Sequence, residues 1–215
     1  MEYRVKISEA LLDTMTLAAL EAYILGDGRK KTQIETFGYI WGTRVVRADV
    51  THLHLQKGSV SLSAQRSTNS VQPNQEAVEL KNAVISRWTP ELMLLGDFHT
   101  HPYASITEVN EVNGFEFSRS DFNKFLTDGD LWEESDNIPI MLAMTVCEVQ
   151  AVHEDMFGTI IRGNIFMFNI GQYRLWINVA VGYLDEDGNR QHTGNTHSPV
   201  FLDMTRFFNQ SGDRL

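Results

Sequence analysis

Three residues of this chain have the types and spacing of a metal site: His99 and His101, two positions apart, and Asp121 further along. The apolar run Leu92-Met-Leu-Leu95 leads into the histidines and predicts a strand, on which residues two apart face the same side. Both imidazoles can therefore reach one ion. Imidazole and carboxylate ligands suit zinc, and three protein ligands leave a fourth position for water, which is typical of a catalytic site. The pattern predicts a zinc hydrolase with one catalytic Zn2+ ion.

The elements that must position these residues follow an α/β order without internal repeats. The predicted strands before the zinc motif are residues 2–7, 35–47 and 49–60. Ser8 is the predicted N-cap of a first helix that ends near Leu25, and Asn74 begins a second helix that ends before Pro90. The polar stretch 61–74 is a predicted loop, and the strand that carries the two histidines follows the second helix directly.

The second half of the chain adds a loop, a helix and several strands. Residues 105–117 are polar and predict an extended loop over the site, and Ser118 opens a helix that ends near Gly129. A polar excursion is predicted over residues 132–137, a strand over 138–153, and a hairpin of strands 163–170 and 173–184 joined at Gly171-Gln172. The tail from Pro199, with Phe207 and Phe208, predicts a short docked helix.

Composition narrows the class of protein. The chain has 215 residues, 42% of them hydrophobic, which is enough for one good core, so we expect a single domain or a domain with sizeable insertions. Its net charge of -10 argues against a phosphate-binding surface, and nucleic acid is not an expected ligand. The single cysteine, Cys147, excludes an internal disulfide and is predicted to be a buried strand residue. Without a membrane span or a signal-peptide core, we expect a soluble cytoplasmic protein that does not bind membranes.

Three motifs resemble the JAMM pattern of the JAB/MPN metalloprotease family. They are Glu35-Thr-Phe-Gly38-Tyr-Ile-Trp-Gly42, then Gly96-Asp-Phe-His99-Thr-His101-Pro102, then Ser118-Arg-Ser-Asp121, in the order that the family has them. In that family, an upstream glutamate, a His-x-His-Pro and a Ser-x-x-Asp build one zinc site. The resemblance implies a deubiquitinase-like peptidase or isopeptidase that cuts after the C-terminus of ubiquitin or a ubiquitin-like protein, in conjugate removal or precursor processing.

The resemblance also implies the domain organisation. We expect a JAB/MPN-type mixed β-sheet flanked by helices over residues 1–160, and a C-terminal β-hairpin extension over 161–215 that packs on the same domain. The chain departs from the family pattern between His101 and Ser118, where the connection is longer than usual. This departure indicates an insertion over residues 103–117 beside the metal site.

Two catalytic roles follow from the resemblance and from the chemistry of peptide hydrolysis. If its strand brings it beside the metal, Glu35 takes the proton of the attacking water and later passes it to the leaving amine. The hydroxyl of Ser118 helps to stabilise the tetrahedral oxyanion, and loss of one such donor commonly raises the barrier by ~3 kcal/mol. The expected site therefore has His99, His101 and Asp121 as metal ligands and Glu35 and Ser118 as catalytic residues.

Other interpretations of these motifs stay open at the level of sequence. The Ser118-Arg-Ser-Asp121 motif is also a helix-capping pattern, and both interpretations can hold. If it is only a cap, the third ligand comes from the acids of the insertion, Glu108, Glu111 or Glu116. His52-Leu-His54 repeats the spacing of the zinc histidines without an acidic companion motif, so we expect it to be structural or at the surface.

Two alternative functions accompany the peptidase hypothesis. One is a hydrolase that acts on an adduct of a sulfur-carrier protein, because the same site would cut a carrier C-terminus. The other is a non-catalytic MPN scaffold subunit. Subunits of that kind generally lack one or more of the ligands, whereas all five candidate residues are present here. The sequence leaves the substrate and the oligomeric state open.

Overall fold

Apolar and polar residues alternate along this chain and build the strands of one curled, mixed sheet with helices on both of its faces. The computed structural model describes residues 1–28, 32–67, 71–72, 74–153 and 158–204. The strands are β1 (Glu2–Ile7), β2 (Phe37–Arg47), β3 (Val50–Val60), β4 (Gln65–Arg66), β5 (Val71–Gln72), β6 (Met93–Tyr103), β7 (Ile140–His153), β8 (Gly158–Arg162), β9 (Ile165–Leu184), β10 (Arg190–His192) and β11 (Val200–Asp203). The helices are α1 (Glu9–Ile24), α2 (Gln75–Trp88), α3 (Ile106–Val112), α4 (Arg119–Thr127) and α5 (Gly129–Glu134). No helix in the described ranges is long and apolar enough to cross a membrane.

The strand that carries the candidate histidines lies in the middle of the sheet. Eight strands follow the order β10-β9-β7-β6-β2-β3-β1-β11, β8 pairs with β9 beside this path, and β4 and β5 form a separate pair. The sheet is mixed, because β1 is parallel to β3 and β11, and β6 is parallel to β7, while β2 is antiparallel to β3 and β6. β6 is therefore supported on one side by β2 and on the other by β7.

α1 covers one face of this sheet. The hydroxyl of Ser8 accepts a hydrogen bond from the backbone N–H of Leu11 at 3.2 Å and so caps the first turn. Leu11, Met15 and Ala19 are buried and recur every four residues, which places them on one stripe of the helix. They belong to the largest apolar cluster, which includes Phe98 of β6. This face of the sheet is a closed hydrophobic core.

The opposite face is covered by α2, α4, α5 and α3. Under the first three helices lies a second apolar cluster that includes Tyr39 and Trp41 from β2 and Trp132 from α5. A third cluster joins Val109 of α3 to Trp176 of β9. Because this face is divided between two clusters, polar side chains of β6 and β7 can lie between them.

Most of the predicted elements are confirmed. The confirmed strands are those predicted over 2–7, 35–47, 49–60 and 138–153, and the confirmed helices are those predicted to begin at Ser8, Asn74 and Ser118. Cys147 is a fully buried strand residue, as predicted. The predicted loop over 61–74 contains the short strands β4 and β5, and four of its residues, 68–70 and 73, lie outside the described ranges.

The predicted C-terminal hairpin about Gly171-Gln172 is wrong. β9 runs without a break from Ile165 to Leu184. Gly171 does have a positive φ of 55°, but it lies where the pairing with β7 shifts register between Glu148 and His153. Its left-handed conformation therefore marks an irregularity within a continuous strand and not a chain reversal. β9 instead pairs antiparallel with β8, which precedes it, and with β10, which follows it.

Two segments predicted to be irregular form helices. The prediction of an extended loop over 105–117 is wrong over α3, because the hydroxyl of Ser105 accepts a hydrogen bond from Glu108 N at 3.3 Å and starts a helical turn. The prediction of a polar excursion over 132–137 is wrong over the end of α5. There Trp132 is fully buried, and its indole N–H donates to Phe125 O at 2.7 Å. Tertiary packing outweighed the polar composition.

The C-terminal part of the described chain also differs from its prediction. The tail was expected to form a short helix from Pro199, but Val200–Asp203 is strand β11, which pairs in parallel with β1. Val200 and Leu202 are buried while Phe201 is half-exposed, which is the alternation of an edge strand with one buried face. Phe207 and Phe208 lie outside the described residues. β9, β10 and β11 all belong to the same sheet as the first strands of the chain.

Candidate metal centre

The structure brings His99 and His101 together near the end of β6. They alternate with Phe98, which packs in the cluster beneath α1, so the two imidazoles face the opposite side of the sheet. Their Nε2 atoms are 3.0 Å apart. His99 is only 7% exposed, and the ring of Phe117 lies 6.0 Å from its ring, centroid to centroid.

Asp121 reaches the same point from the first turn of α4. Its Oδ1 is 3.8 Å from Nε2 of His99, and its Oδ2 is 3.5 Å from Nε2 of His101. Among the described histidines, cysteines and acids, these three form a group whose ligand atoms all lie within 4.8 Å of one another. Zinc–ligand bonds of ~2.0–2.2 Å in tetrahedral geometry place two ligand atoms ~3.4 Å apart, and the observed separations are close to that value.

The protonation states of the group also suit a metal. Burial, together with the neighbouring His101, lowers the pKa of His99 to about 3, so the imidazole is neutral at physiological pH. For Asp121, burial acts to raise the pKa, but its contacts with His101, His99 and Ser118 outweigh that effect and hold the pKa well below its ordinary range. A neutral imidazole and an ionised carboxylate are the forms in which these side chains bind metals.

A backbone carbonyl fixes the tautomer of His101. Nδ1 of this residue lies 3.3 Å from Gly114 O, which can only accept, so Nδ1 carries the proton. The lone pair is then on Nε2, which is the atom that faces His99 and Asp121. Metal-binding histidines are commonly oriented by such a bond from the second ring nitrogen.

Ser118 is the N-cap of α4, and it forms a reciprocal capping box with Asp121. Asp121 N donates to the hydroxyl of Ser118 at 3.1 Å, and Ser118 N donates to Oδ2 of Asp121 at 2.7 Å. The capping interpretation and the metal interpretation of this motif are therefore compatible, because one carboxylate oxygen caps the helix while the carboxylate faces the histidines. The hydroxyl of Ser118 accepts in this pair and keeps its own proton free to donate.

Glu35 lies in the same site, two residues before β2 begins. Its backbone N–H donates to Ser67 O at 2.8 Å, and its side chain lies in two clefts that both include Asp121. The pKa of Glu35 is raised to about 7, mainly by burial and in part by the charge of Asp121, while His101 and Lys124 act to lower it. This carboxyl group can gain and lose a proton near neutral pH.

The two clefts meet at the candidate metal group. One, of about 530 Å³, lies between the end of β6 and the connection from α3 to α4, and it contains His101 and Ser118. The other, of about 430 Å³, lies between α4, α5 and β6, and it contains His99. Glu35, Asp121 and Lys124 line both, so one continuous channel can pass across the group.

The sequence did not single out two residues that the structure places at the site. Asp97 has the same strand parity as His99 and lines the second cleft, and burial, then the charges of Asp128 and Asp121, raise its pKa well above the ordinary value. Because Asp97 lies two residues before His99 on a predicted strand, the sequence already indicates that the two side chains share one face. Asn195 hydrogen-bonds the backbone of the residue before Ser118 and lies too far along the chain for any local pattern to reveal it.

The acids of the insertion have other contacts. Glu108 accepts a hydrogen bond from Ala104 N at 2.9 Å, and Glu116 forms an ion pair with Arg162. Glu111 is exposed on α3. The structure does not bring these acids into the group around His99, so Asp121 is the better candidate for the third ligand.

The histidine pair on β3 is separate from this site. His52 and His54 are half-buried and lie opposite Arg4 and Lys6 of β1. The metal-like group found among the described residues does not include them.

Comparisons with known proteins leave the family open. No protein-family model matches the sequence, and no curated protein is similar to it. Among solved structures, the chain is similar to the Trichoplax adhaerens STIL N-terminal domain, with 11% sequence identity and a TM-score of 0.36 over 83% of this chain and 42% of that one. The chain thus spans less than half the length of that structure, and a TM-score of this size does not identify a shared fold.

Proposed function

We propose that this protein is a zinc-dependent peptidase or isopeptidase of the JAB/MPN type, which cleaves after the C-terminus of ubiquitin or a ubiquitin-like protein. The observation that carries the proposal is the convergence of His99, His101 and Asp121 within 4.8 Å, with Glu35 in the same clefts. These residues are the ones on which the sequence resembles the JAMM pattern. The mixed sheet flanked by helices is compatible with the JAB/MPN fold that we propose for it.

The side chains of the site divide between holding the metal and moving protons. His99, His101 and Asp121 would hold a zinc ion, which would lower the pKa of water and polarise the scissile carbonyl. Glu35 would accept a proton from the attacking water and return it to the leaving amine, for which its pKa of about 7 is well suited. The free hydroxyl proton of Ser118 would point to the developing oxyanion.

The shape of the site favours an extended polypeptide as the substrate. Because the two clefts meet at Glu35 and Asp121, chain segments on either side of the scissile bond would have a place to lie. A ubiquitin-like protein ends in a segment that can enter such a channel, and the leaving group would be a lysine side chain or an α-amine. Hydrogen bonds from the backbone of the channel walls would hold the chain.

Replacement of Glu35 tests the proposed catalysis directly. We expect Glu35→Gln to retain one zinc per chain and to lose about 100-fold or more in the cleavage rate of a ubiquitin-like fusion, because general base catalysis contributes ~10²–10⁴-fold. The measurements are zinc content by elemental analysis and single-turnover cleavage. Glu111→Gln, which changes an exposed acid of the insertion, is the matched control. A Glu35→Gln protein that cuts at the wild-type rate would refute this role, and a zinc-loaded wild type that cuts no fusion would favour the scaffold alternative.

A second pair of variants tests the third ligand. We expect Asp121→Ala to reduce zinc content strongly and Glu111→Ala to leave it unchanged, because only Asp121 lies with the histidines. The effect on helix stability has to be separated from the effect on zinc binding, because loss of the Asp121 carboxylate also removes a helix cap worth ~1 kcal/mol. Ser118→Ala removes the other half of the same cap and is therefore the control for helix stability. Equal zinc content in both alanine variants at positions 111 and 121 would show that another group completes the site.

A further inference from the structure

The connection between α3 and α4, residues 113–117, is held to the sheet by hydrogen bonds to its backbone carbonyls. Gly114 O accepts from the hydroxyl of Thr145 on β7 at 2.9 Å. Phe115 O accepts from Nδ2 of Asn178 on β9 at 3.1 Å. Successive carbonyls of one short segment are thus bound by side chains of neighbouring strands.

Asn195 makes the attachment that lies nearest to α4 along the chain. Its Oδ1 accepts a hydrogen bond from Phe117 N at 3.0 Å, and its Nδ2 donates to Phe117 O at 3.0 Å. Two bonds to one residue fix both the position and the direction of the backbone there. Phe117 directly precedes Ser118, the residue at which α4 begins. The amide of Asn195 therefore sets the point from which the helix starts.

Two buried asparagines, Asn178 on β9 and Asn164 in the turn between β8 and β9, connect this clamp to the sheet. Nδ2 of Asn178 also donates to Oδ1 of Asn195 at 3.2 Å, and Nδ2 of Asn164 donates to Oδ1 of Asn178 at 2.9 Å. Asn164 and Asn178 are each 1% exposed. Buried amides are costly unless they are hydrogen-bonded, and in a network each bond restrains the next. The clamp is consequently attached to a rigid part of the molecule.

Asn178 and Thr145, which bind the connection, lie level with the two histidines across the paired strands. Asn178 pairs with Ala143 of β7, which in turn pairs with His99 of β6. Thr145 of β7 pairs with His101. Residues opposite one another in paired strands share a face, so the imidazoles and the groups that bind the connection are held at one level of the sheet.

We propose that Asn195 is a positioning residue for the metal centre. By clamping Phe117, it fixes the start of α4 and so fixes Asp121 relative to His99 and His101. This inference rests on the proposed zinc site and extends it to a residue that touches none of the ligands. It also gives a physical reason why the long insertion does not leave the third ligand loose: the chain is tied down again one residue before the capping box.

The test compares the zinc affinity of wild type, Asn195→Ala and Asn169→Ala by competition with a chromophoric chelator. Asn169 is the matched control, because it is a buried asparagine of β9 whose Oδ1 accepts a hydrogen bond from Nε of Arg174, away from the connection. We expect Asn195→Ala to raise the zinc dissociation constant about tenfold or more, the usual effect of removing a group that orients a ligand. Asn169→Ala should leave it unchanged.

A double-mutant cycle separates positioning from general destabilisation. If Asn195 acts through Asp121, then Asn195→Ala weakens zinc binding in the wild-type background and has no further effect in the Asp121→Ala background. An equal loss in both backgrounds would overturn the proposal. Thermal unfolding of the metal-free proteins shows whether each variant is folded. If Asn195→Ala does not fold, Asn195→Asp decides, because it keeps the acceptor for Phe117 N and replaces the donor to Phe117 O by an ionised oxygen that repels this carbonyl.

The outcomes distinguish this inference from the proposed function. A wild type that binds no zinc would refute the metal site and the inference with it. A wild type that binds zinc, with an Asn195 variant of unchanged affinity, would overturn the inference alone and leave the zinc site standing.

Discussion

The carboxyl group of Glu35 has a pKa that suits catalysis, but the burial that raises this pKa lowers the stability of the folded protein. Burial is the main reason that its pKa rises to about 7, with Asp121 adding to the shift. A base with this pKa takes up and returns a proton near neutral pH. The same burial makes its ionised form unfavourable, because the carboxylate has lost part of its hydration. Stability and activity therefore respond to this residue in opposite directions.

We predict that Glu35→Gln makes the metal-free protein more stable than wild type at about pH 8 and equally stable at about pH 4. The folded pKa of about 7 lies above the ordinary value of 4.5, so the unfolded chain releases the proton first. Below pH 4.5 the carboxyl group is protonated in both the folded and the unfolded chain, so its ionisation does not destabilise the folded protein. Between 4.5 and 7 the wild type loses stability as the pH rises, and above 7 the loss is complete.

The measurement for this prediction is the difference in melting temperature between the two proteins, in a chelating buffer, across that pH range. Titrating groups that do not interact with Glu35, His99 among them, are common to both proteins and cancel in the difference. A difference that does not depend on pH would show that Glu35 is solvated in the folded protein.

At the scale of elements, the connection between β6 and α4 decides whether the metal group forms. Gly114 lies where this connection crosses Tyr103, and a Cβ atom there would be 2.5 Å from two carbon atoms of the tyrosine ring. Gly114 O also binds the hydroxyl of Thr145 and faces Nδ1 of His101. Any side chain at this position has to displace the connection. The displacement also moves Gly114 O away from Nδ1 of His101, whose tautomer this contact fixes.

We predict that Gly114→Ala lowers the free energy of unfolding by ~1–3 kcal/mol, the usual cost of overpacking, and weakens zinc binding as well. Gly129→Ala is the matched control, because nothing lies within 4 Å of a Cβ atom at that residue, the first of α5. The checks are denaturant unfolding of the metal-free proteins and zinc competition. A Gly114→Ala protein that matches Gly129→Ala in both measurements would contradict the close packing at Tyr103.

At the scale of the whole molecule, the sheet joins the first and last parts of the described chain. β7 pairs with β6 on one side and with β9 on the other, and β1 pairs with β11. β9 supplies Ile177, Val179 and Val181 to the core beneath α1. Removal of the later strands would expose this core and leave β7 as an open edge.

We predict that a chain ending at residue 162 does not fold cooperatively, because it lacks β9 and β11. A chain ending at residue 204 keeps every described strand and is the control. The measurements are far-ultraviolet circular dichroism and thermal unfolding of both chains. A sharp unfolding transition in the shorter chain would show that residues 1–160 form an independent domain, which is the boundary that the resemblance implied.

Several features of the fold were predictable because they depend on nearby residues. The caps at Ser8, Asn74 and Ser118 are local patterns of a side chain and a backbone N–H two or three residues away. The wrong predictions concern segments whose conformation depends on distant contacts. The polar neighbours of Trp132 predict an irregular segment, and the Gly171-Gln172 pair predicts a hairpin turn, whereas Trp132 lies in α5 and Gly171 within β9.

The sequence by itself determined which side chains are available to a metal and that His99 and His101 share one face, because strand alternation is a local property. Only the tertiary structure decided that Asp121 stands beside them within 4.8 Å and that Glu35 lines the same clefts. The reason is that these distances depend on the register of β2, β6, β7 and β9 and on where Asn195 holds the start of α4. Contacts between residues so far apart along the chain exist only once the sheet has formed.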